Sequence, residues 1–314
     1  MKHNYKYFII IFSFLISQEI IGPNLYNQDL INFLQDNYKT NSTLSYNNAR
    51  DILYSTIDAD NNNRVHCIYT NYFVTLPTNV DPSTYLYENG MNCEHLWPQS
   101  MYEIITVNNM KSDMHHLRPC KENVNSYRSN KPFNESSDNS TNNWLWLSYN
   151  YSNTPSNNIN EYSENGTSVF EPREDVKGDI ARALFYFYTI YTNEADNNFF
   201  EQQKDILFDW HEQDPVQESE ITRTWLIANH QNNIPNPFIL DDSLIYRAYF
   251  FTGILGDINE DGVVNVADIV AIVNFIINGI IINDNQISNS DLNGDSIINI
   301  GDIVALVNII IGEN

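Results

Sequence analysis

Basic side chains are scarce in this chain. Lys and Arg together number 16 against 40 Asp and Glu, a formal net charge of −24. So acidic a balance excludes a protein that grips a polyanion or an anionic membrane by overall charge. Any phosphate chemistry has to come from a local gathering of cations or from metal. The shortage is complete at the C-terminal end, where Phe251 to Asn314 carry nine acids and no Lys or Arg, leaving 31 acids against 16 bases elsewhere. Cysteine is scarce as well. Cys67, Cys93 and Cys120 are too few for a disulfide-dense scaffold, and no third and fourth ligand stand at zinc-binding spacing beside the histidines. No apolar run after residue 17 is long enough to span a bilayer.

What is present begins with an export-type segment. Residues 1–17 hold Lys2, His3 and Lys6, then the apolar run Tyr7 to Ile16, with Ser17 as the best small residue for cleavage. This has the charge and length of a secretory signal peptide, which predicts a secreted or cell-surface protein; an uncleaved N-terminal anchor is the other reading. The remaining length suits two domains, 18–252 and 255–314. Leu30 to Tyr54 carries two helical patterns, Val65 to Leu76 alternates as one strand, and Asn134 to Ser168 is an Asn- and Ser-rich surface excursion pinned by Trp144-Leu145-Trp146. Asp179 to Tyr191 is an apolar helix, and Phe200 to Trp225 is helical with a break at Pro215. The fold class is therefore α+β, with helices outnumbering a small sheet.

The cations gather between Asn92 and Phe133. Five of them (Lys111, Arg118, Lys121, Arg128, Lys131) stand there with three of the seven histidines and Glu94. Asn92 to Leu96 reads as a strand ending at Pro98, Asp113 to Arg118 as a second strand closed by Pro119, and Lys121 to Ser129 as a helix. An antiparallel pairing of these strands brings Cys93 and Cys120 within disulfide reach; three buried thiols are the alternative.

The pattern NCEHLWPQS followed by SDMHHLRPCKENVNSYRSNKPF resembles the bacterial endonuclease I family, secreted or periplasmic nucleases built on the ββα-metal (His-Me finger) motif. The blocks SYNNARDILY, FEPREDVKGDIARALFYFYTIY, WHEQDPVQESEITR and NHQNNIPNPF are similar in order and spacing, so the resemblance covers roughly residues 28 to 250. It implies a largely sequence-nonspecific endonuclease acting on DNA, with RNA as a further substrate, that leaves 5′-phosphate ends. His95 would be the general base that takes a proton from water. Glu94 and Asn125 would hold one Mg²⁺, two oxygen ligands and remaining waters suiting a hard cation. Successive strand residues face opposite ways, so Glu94 and His95 serve one site only around a strand end or bulge. Arg118 and Arg128 are either a phosphate clamp or structural partners of Asp113 or Glu122. His115 shares a face with Asp113 and would order the site by hydrogen bonds, while His211 and Asp214 are scaffold. The competing class is a non-catalytic extracellular calcium-binding or nucleic-acid-binding scaffold with a decayed nuclease domain. The intact Glu94, His95 and Asn125 argue for the enzyme.

The C-terminal segment repeats at a period of 34 residues, DINEDGVVNVAD and then DLNGDSIINIGD. Oxygen donors fall at EF-hand positions: Asp257, Asn259, Asp261, Val263 (through its carbonyl), Asn265 and Asp268 in the first loop, and Asp291, Asn293, Asp295, Ile297, Asn299 and Asp302 in the second. Two Ca²⁺ ions are expected. Each loop runs into an apolar helix, with Asp rather than Glu at position 12. The pattern is similar to a type I dockerin, a small all-α paired F-hand module whose partner is a cohesin. It departs from the family at Ser296, where glycine usually makes the turn, and at Val266-Ala267 and Ile300-Gly301, where Ser or Thr is common. A calcium-stapled module with no partner is the alternative.

Overall fold

The computed structural model describes residues 20–23, 25–103, 109–279, 284–295 and 297–312. The expected export segment and Ser296 lie outside them. Two helices open the described chain, α1 (Asn27–Tyr38) and α2 (Tyr46–Ile52), the latter N-capped by Ser45, whose side chain accepts from the Asn48 N–H. Next come β1 (Arg64–His66), β2 (Phe73–Thr75) and α3 (Pro82–Glu88). The central stretch forms β3 (Met91–His95), α4 (Asn109–Ser112), β4 (Leu117–Lys121) and α5 (Glu122–Arg128). Four strands follow, β5 (Thr141–Trp146), β6 (Tyr149–Tyr151), β7 (Ser163–Gly166) and β8 (Phe170–Glu171). The rest is helical: α6 (Lys177–Ile190), α7 (Asn197–Glu201), α8 (Lys204–Gln213), α9 (Glu218–Ala228), α10 (Pro237–Leu240), α11 (Leu244–Tyr249), α12 (Val266–Asn278), α13 (Asp284–Ser290) and α14 (Ile300–Ile311). The mixed α+β class holds.

The organising element is α6, buried at every described position except Asp179. It packs against α8, α1 and α10, so its apolar residues face neighbours all round, as a core helix must. Its first turn approaches the end of α8 so closely that a Cβ on Gly178 would lie 2.1 Å from the Asp214 carbonyl oxygen. Only glycine fits there.

Several strand assignments change. Val65 to Leu76 is not one strand but a hairpin, with Val65 opposite Val74; Asn71, at φ +56°, turns it. The Asn-rich excursion is a four-stranded antiparallel sheet in the order β6-β5-β7-β8. Finally, Pro119 lies inside β4, opposite Cys93, rather than closing a strand. Its carbonyl accepts the Ile68 N–H at 2.9 Å on the edge away from β3. The N–H that proline lacks would have pointed to that same edge, so the β3–β4 ladder loses nothing.

Two separate apolar clusters form. The large one surrounds α6; among the described residues the small one in the C-terminal segment buries Ile258, Ile272, Leu292 and Leu306. Among the described residues no helix is long and apolar enough to cross a membrane.

Candidate active site

β3 and β4 pair without interruption from Met91–Lys121 to His95–Leu117, and α5 begins at the next residue. His95 is the last residue of β3. With no bulge in the ladder, it is this strand end that lets Glu94 and His95 line one cleft, of about 370 Å³, together with Asn125 and Arg128 from α5 and Gln99 and Ser129 from the flanking turns.

His95 is fixed from two sides. Its Nε2 lies 3.0 Å from the Lys111 carbonyl oxygen. A carbonyl only accepts, so Nε2 carries the proton and Nδ1 keeps its lone pair. Gln99 Nε2 approaches that Nδ1 at 3.4 Å. The Tyr46 ring stacks on the imidazole at 5.3 Å and His116 meets it edge-on at 5.4 Å. Burial, then the neighbouring His116, push the His95 pKa down to about 3, so the ring is neutral at physiological pH.

Glu94 is buried at 2 % exposure. Tyr69 Oη donates to its Oε1 at 2.7 Å, and Arg128 Nη1 stands 3.2 Å from the same oxygen. Burial raises its pKa to about 7 against the opposing pull of Arg128. Both protein partners sit on Oε1, which leaves Oε2 as the oxygen available to a cation. Asn125 spends its Nδ2 on the Cys93 carbonyl at 3.3 Å, leaving Oδ1 as its acceptor. A carboxylate oxygen and an amide oxygen on one cleft fit a hard divalent cation. Among the described residues no group of three or more His, Cys, Asp or Glu is placed to hold a metal.

Several expected roles move. Arg128 pairs with neither Asp113 nor Glu122. It is 1 % exposed, donates to the carbonyls of His95 and Leu96, and lies over the Phe133 ring at 4.5 Å. Its guanidinium anchors the strand end and balances Glu94. Replacing it with methionine strands a buried carboxylate and should cost about 3–5 kcal/mol of stability, read from urea unfolding. Arg118 does not line the cleft. It is buried with its guanidinium 3.7 Å from Asp179 and lines an internal pocket with His115, Glu220 and Arg223. His115 is in that pocket too, its Nε2 on the Ile234 carbonyl at 3.0 Å. The cause is local: residues Met114–His116 form a 3-10 turn, not a strand. The turn takes His115 away and sets His116 against His95, with His116 Nε2 held by the Met110 carbonyl at 2.7 Å.

Asp113 holds that turn. Fully buried, it accepts the His115 N–H, the hydroxyls of Tyr186 and Tyr191, and Gln231 Nε2, all between 2.8 and 3.1 Å. Burial pushes its carboxyl up, but His115, His116 and the hydrogen bonds from Gln231 and the His115 N–H outweigh it and hold it below the usual carboxylate range. Tyr46, Tyr69 and Gln231 are site residues that spacing could not reveal, because each enters from a distant element. His211 is a core residue, bonded to the Asp242 carbonyl at 2.9 Å. The cysteines are all free. Asn92, not Cys93, pairs with Cys120, and it is Cys67 whose sulfur lies 3.9 Å from Cys120.

In the C-terminal loops the carboxylates close on the backbone. Asp257 accepts the N–H groups of Asp261 and Gly262, Asn259 that of Asp261, and Asp261 that of Val263. Asp268 accepts those of Ile258, Asn259 and Asn265, completing a capping box on α12. Asn265 donates to the Val263 carbonyl. The second loop repeats the pattern with Asp291, Asn293, Asp295, Ile297, Asn299 and Asp302.

Residues 26–242 match the family Endonuclease I, and residues 255–311 match the dockerin type I domain. An extracellular ribonuclease of Bacillus subtilis (strain 168) is 30% identical over 212 residues, covering 62% of this chain and 65% of that protein. An extracellular ribonuclease of Bacillus amyloliquefaciens is 31% identical over 161 residues, covering 47% of this chain and 50% of that protein. The chain thus spans between half and two thirds of the length of these curated relatives. The first match takes in more than half of the chain, with Glu94, His95 and Asn125 inside it and the Ca²⁺-type loops left to the second. The chain belongs to the endonuclease I family, and its residues 255–311 match the dockerin type I domain.

Proposed function

We propose that this protein is a secreted, Mg²⁺-dependent endonuclease that hydrolyses phosphodiester bonds with little sequence preference. The observation that carries the reading is His95, its Nε2 held on the Lys111 carbonyl, on one cleft with Glu94 and Asn125. The relatives named as extracellular ribonucleases extend the expected substrates from DNA to RNA.

His95 Nδ1 accepts a proton from the attacking water, and because Nε2–H is spent on the Lys111 carbonyl the ring cannot rotate away. Gln99 Nε2, 3.4 Å from the same Nδ1, would have to give way to that water. Tyr69 and Arg128 fix Glu94, and Cys93 fixes Asn125, so both oxygens are preorganised before substrate arrives. Mg²⁺ held by Glu94 and Asn125 would supply positive charge to the scissile phosphate and the leaving 3′ oxygen. The product carries a 5′-phosphate. The direct test is incubation of the purified chain with plasmid DNA and with RNA, with Mg²⁺, with chelator, and with Mg²⁺ restored. Cleavage that persists in chelator would exclude the reading.

The C-terminal domain is proposed to bind two Ca²⁺ and to dock on a cohesin-type partner. Val266, Val270 and Ile277 on α12, and their counterparts 34 residues on, Ile300, Val304 and Ile311 on α14, are all more than half exposed. Two matched apolar stripes on so small a module suit a protein partner whose facing surface is apolar rather than hydroxyl-rich. The two metals should separate by mutation. Glu94→Ala or Asn125→Ala is expected to raise the Mg²⁺ concentration needed for cleavage at least tenfold while leaving calorimetric Ca²⁺ titration unchanged. Loss of Ca²⁺ binding in either variant would mean the two regions are not independent.

A further inference from the structure

The β5–β6 hairpin carries a feature that the cleavage chemistry does not use. From Asn139 to Asn160 there is no charged residue, in a chain with a net charge of −24. Tyr149 and Tyr151 stand on the outer edge strand of the sheet, 49 % and 43 % exposed, with ring centroids 5.7 Å apart and planes 10° from parallel. Trp146 lies beside Tyr149 at 6.0 Å and Tyr162 beside Trp146 at 5.4 Å. A cavity of about 550 Å³ opens here, walled by Trp146, Tyr151, Tyr162 and the uncharged turn 152–158. Exposed rings gathered in this way cost solvation unless something covers them.

The hairpin is fixed to the elements that build the cleft. Leu147, at φ +52° in its turn, donates its N–H to the Thr70 carbonyl at 2.6 Å, next to the Tyr69 that holds Glu94. Asn150 Nδ2 donates to Tyr127 Oη at 3.0 Å, two residues beyond Asn125 on α5. A leucine in the left-handed region is strained, and the bond to Thr70 holds it there. The rings therefore keep a set position relative to the cleft.

We propose that this aromatic hairpin is a stacking subsite for the unpaired bases of a single-stranded nucleic acid whose backbone runs through the cleft. Stacking needs no positive charge, so it supplies grip where the acidic chain cannot, and every base has a face to stack. It also adds no base preference. The inference rests on the nuclease reading for the identity of the strand, but its test reads binding rather than cleavage.

The experiment uses the full chain bearing His95→Ala, with Ca²⁺ present, titrated into fluorescently labelled dodecameric oligothymidylate and followed by anisotropy. Tyr149→Ala with Tyr151→Ala is expected to weaken binding by roughly 10- to 100-fold. Tyr149→Phe with Tyr151→Phe, which keeps the ring faces, should stay within about twofold of the parent. In the chain with His95 intact, the alanine pair should raise KM for the oligonucleotide and leave hydrolysis of bis(4-nitrophenyl) phosphate unchanged. Unaltered affinity in the alanine pair would overturn the subsite, as would displacement of the oligonucleotide by a neutral hexasaccharide, which would assign the rings to sugar. Ring-dependent binding in a wild-type chain that never cleaves would uphold the subsite and sink the nuclease reading alone.

Discussion

Replacing His95 with alanine is expected to cut turnover on DNA by about 10²–10⁴-fold, the usual contribution of a positioned general base. The size follows from the lack of a substitute. His115 is on the far pocket with its Nε2 committed to Ile234, and His116, although it touches His95, is fully buried with its Nε2 on Met110. Affinity for the strand should change little, because His95 contributes a lone pair rather than a charge. Some stability will be lost, since the variant leaves a cavity beside Tyr46 and an unpaired Lys111 carbonyl. The discriminating readout is therefore rescue. Free imidazole diffusing into the cavity should restore part of the rate in the alanine variant and none in Arg128→Met, whose defect is structural. Wild-type turnover in His95→Ala would move the base to His116.

The second large effect concerns the C-terminal domain, where calcium and folding are expected to be one event. Among the described residues its buried core is four side chains, Ile258, Ile272, Leu292 and Leu306. So small a core supports little structure by itself, and the region from Phe251 onward has no base to offset its acids. The loop carboxylates already accept backbone N–H groups, so each loop is shaped to turn, but without cations Asp257, Asp261 and Asp268 repel one another within it. A segment spanning 255–311 should be largely disordered in chelator and helical by circular dichroism once Ca²⁺ is added, with Mg²⁺ far less effective. Asp257→Ala with Asp268→Ala should abolish half or more of that gain. The loops are not equal, since Glu260 takes a left-handed φ of +59° where the second loop has Gly294. Equal helicity with and without Ca²⁺ would leave the loops as acidic turns.

How much of this was legible in the sequence varies with distance along the chain. The gathering of Glu94, His95 and Asn125 on one cleft was, because one strand, one turn and one short helix carry them. The strand end that lets Glu94 and His95 share a cleft was foreseen as one of two possibilities. Pro119 misled, because proline stops a strand only where its missing N–H is needed by a partner. The 3-10 turn at Met114–His116 exchanged the parts of His115 and His116, and the cue was Asp113, a short-range N-cap residue two positions before His115. Arg118 could not be placed at all, since its neighbours Asp179 and Glu220 come from helices far along the chain. The Asn-rich excursion hid a sheet, because its polar residues pair across strands, as Asn143 does with Asn150 and Asn165.

The measurement that bears most directly on the central claim is the chemistry of the cut ends. Hydrolysis by a water that gives its proton to His95, with the 3′ oxygen as leaving group, yields a 5′-phosphate product. In ¹⁸O-labelled water each new 5′-phosphate should carry one ¹⁸O by mass spectrometry, on DNA and RNA alike, with Mg²⁺ present and with the label lost together with cleavage in His95→Ala. A 2′,3′-cyclic phosphate and a 5′-hydroxyl from RNA, with DNA untouched, would show that the 2′-hydroxyl is the nucleophile and would contradict the account.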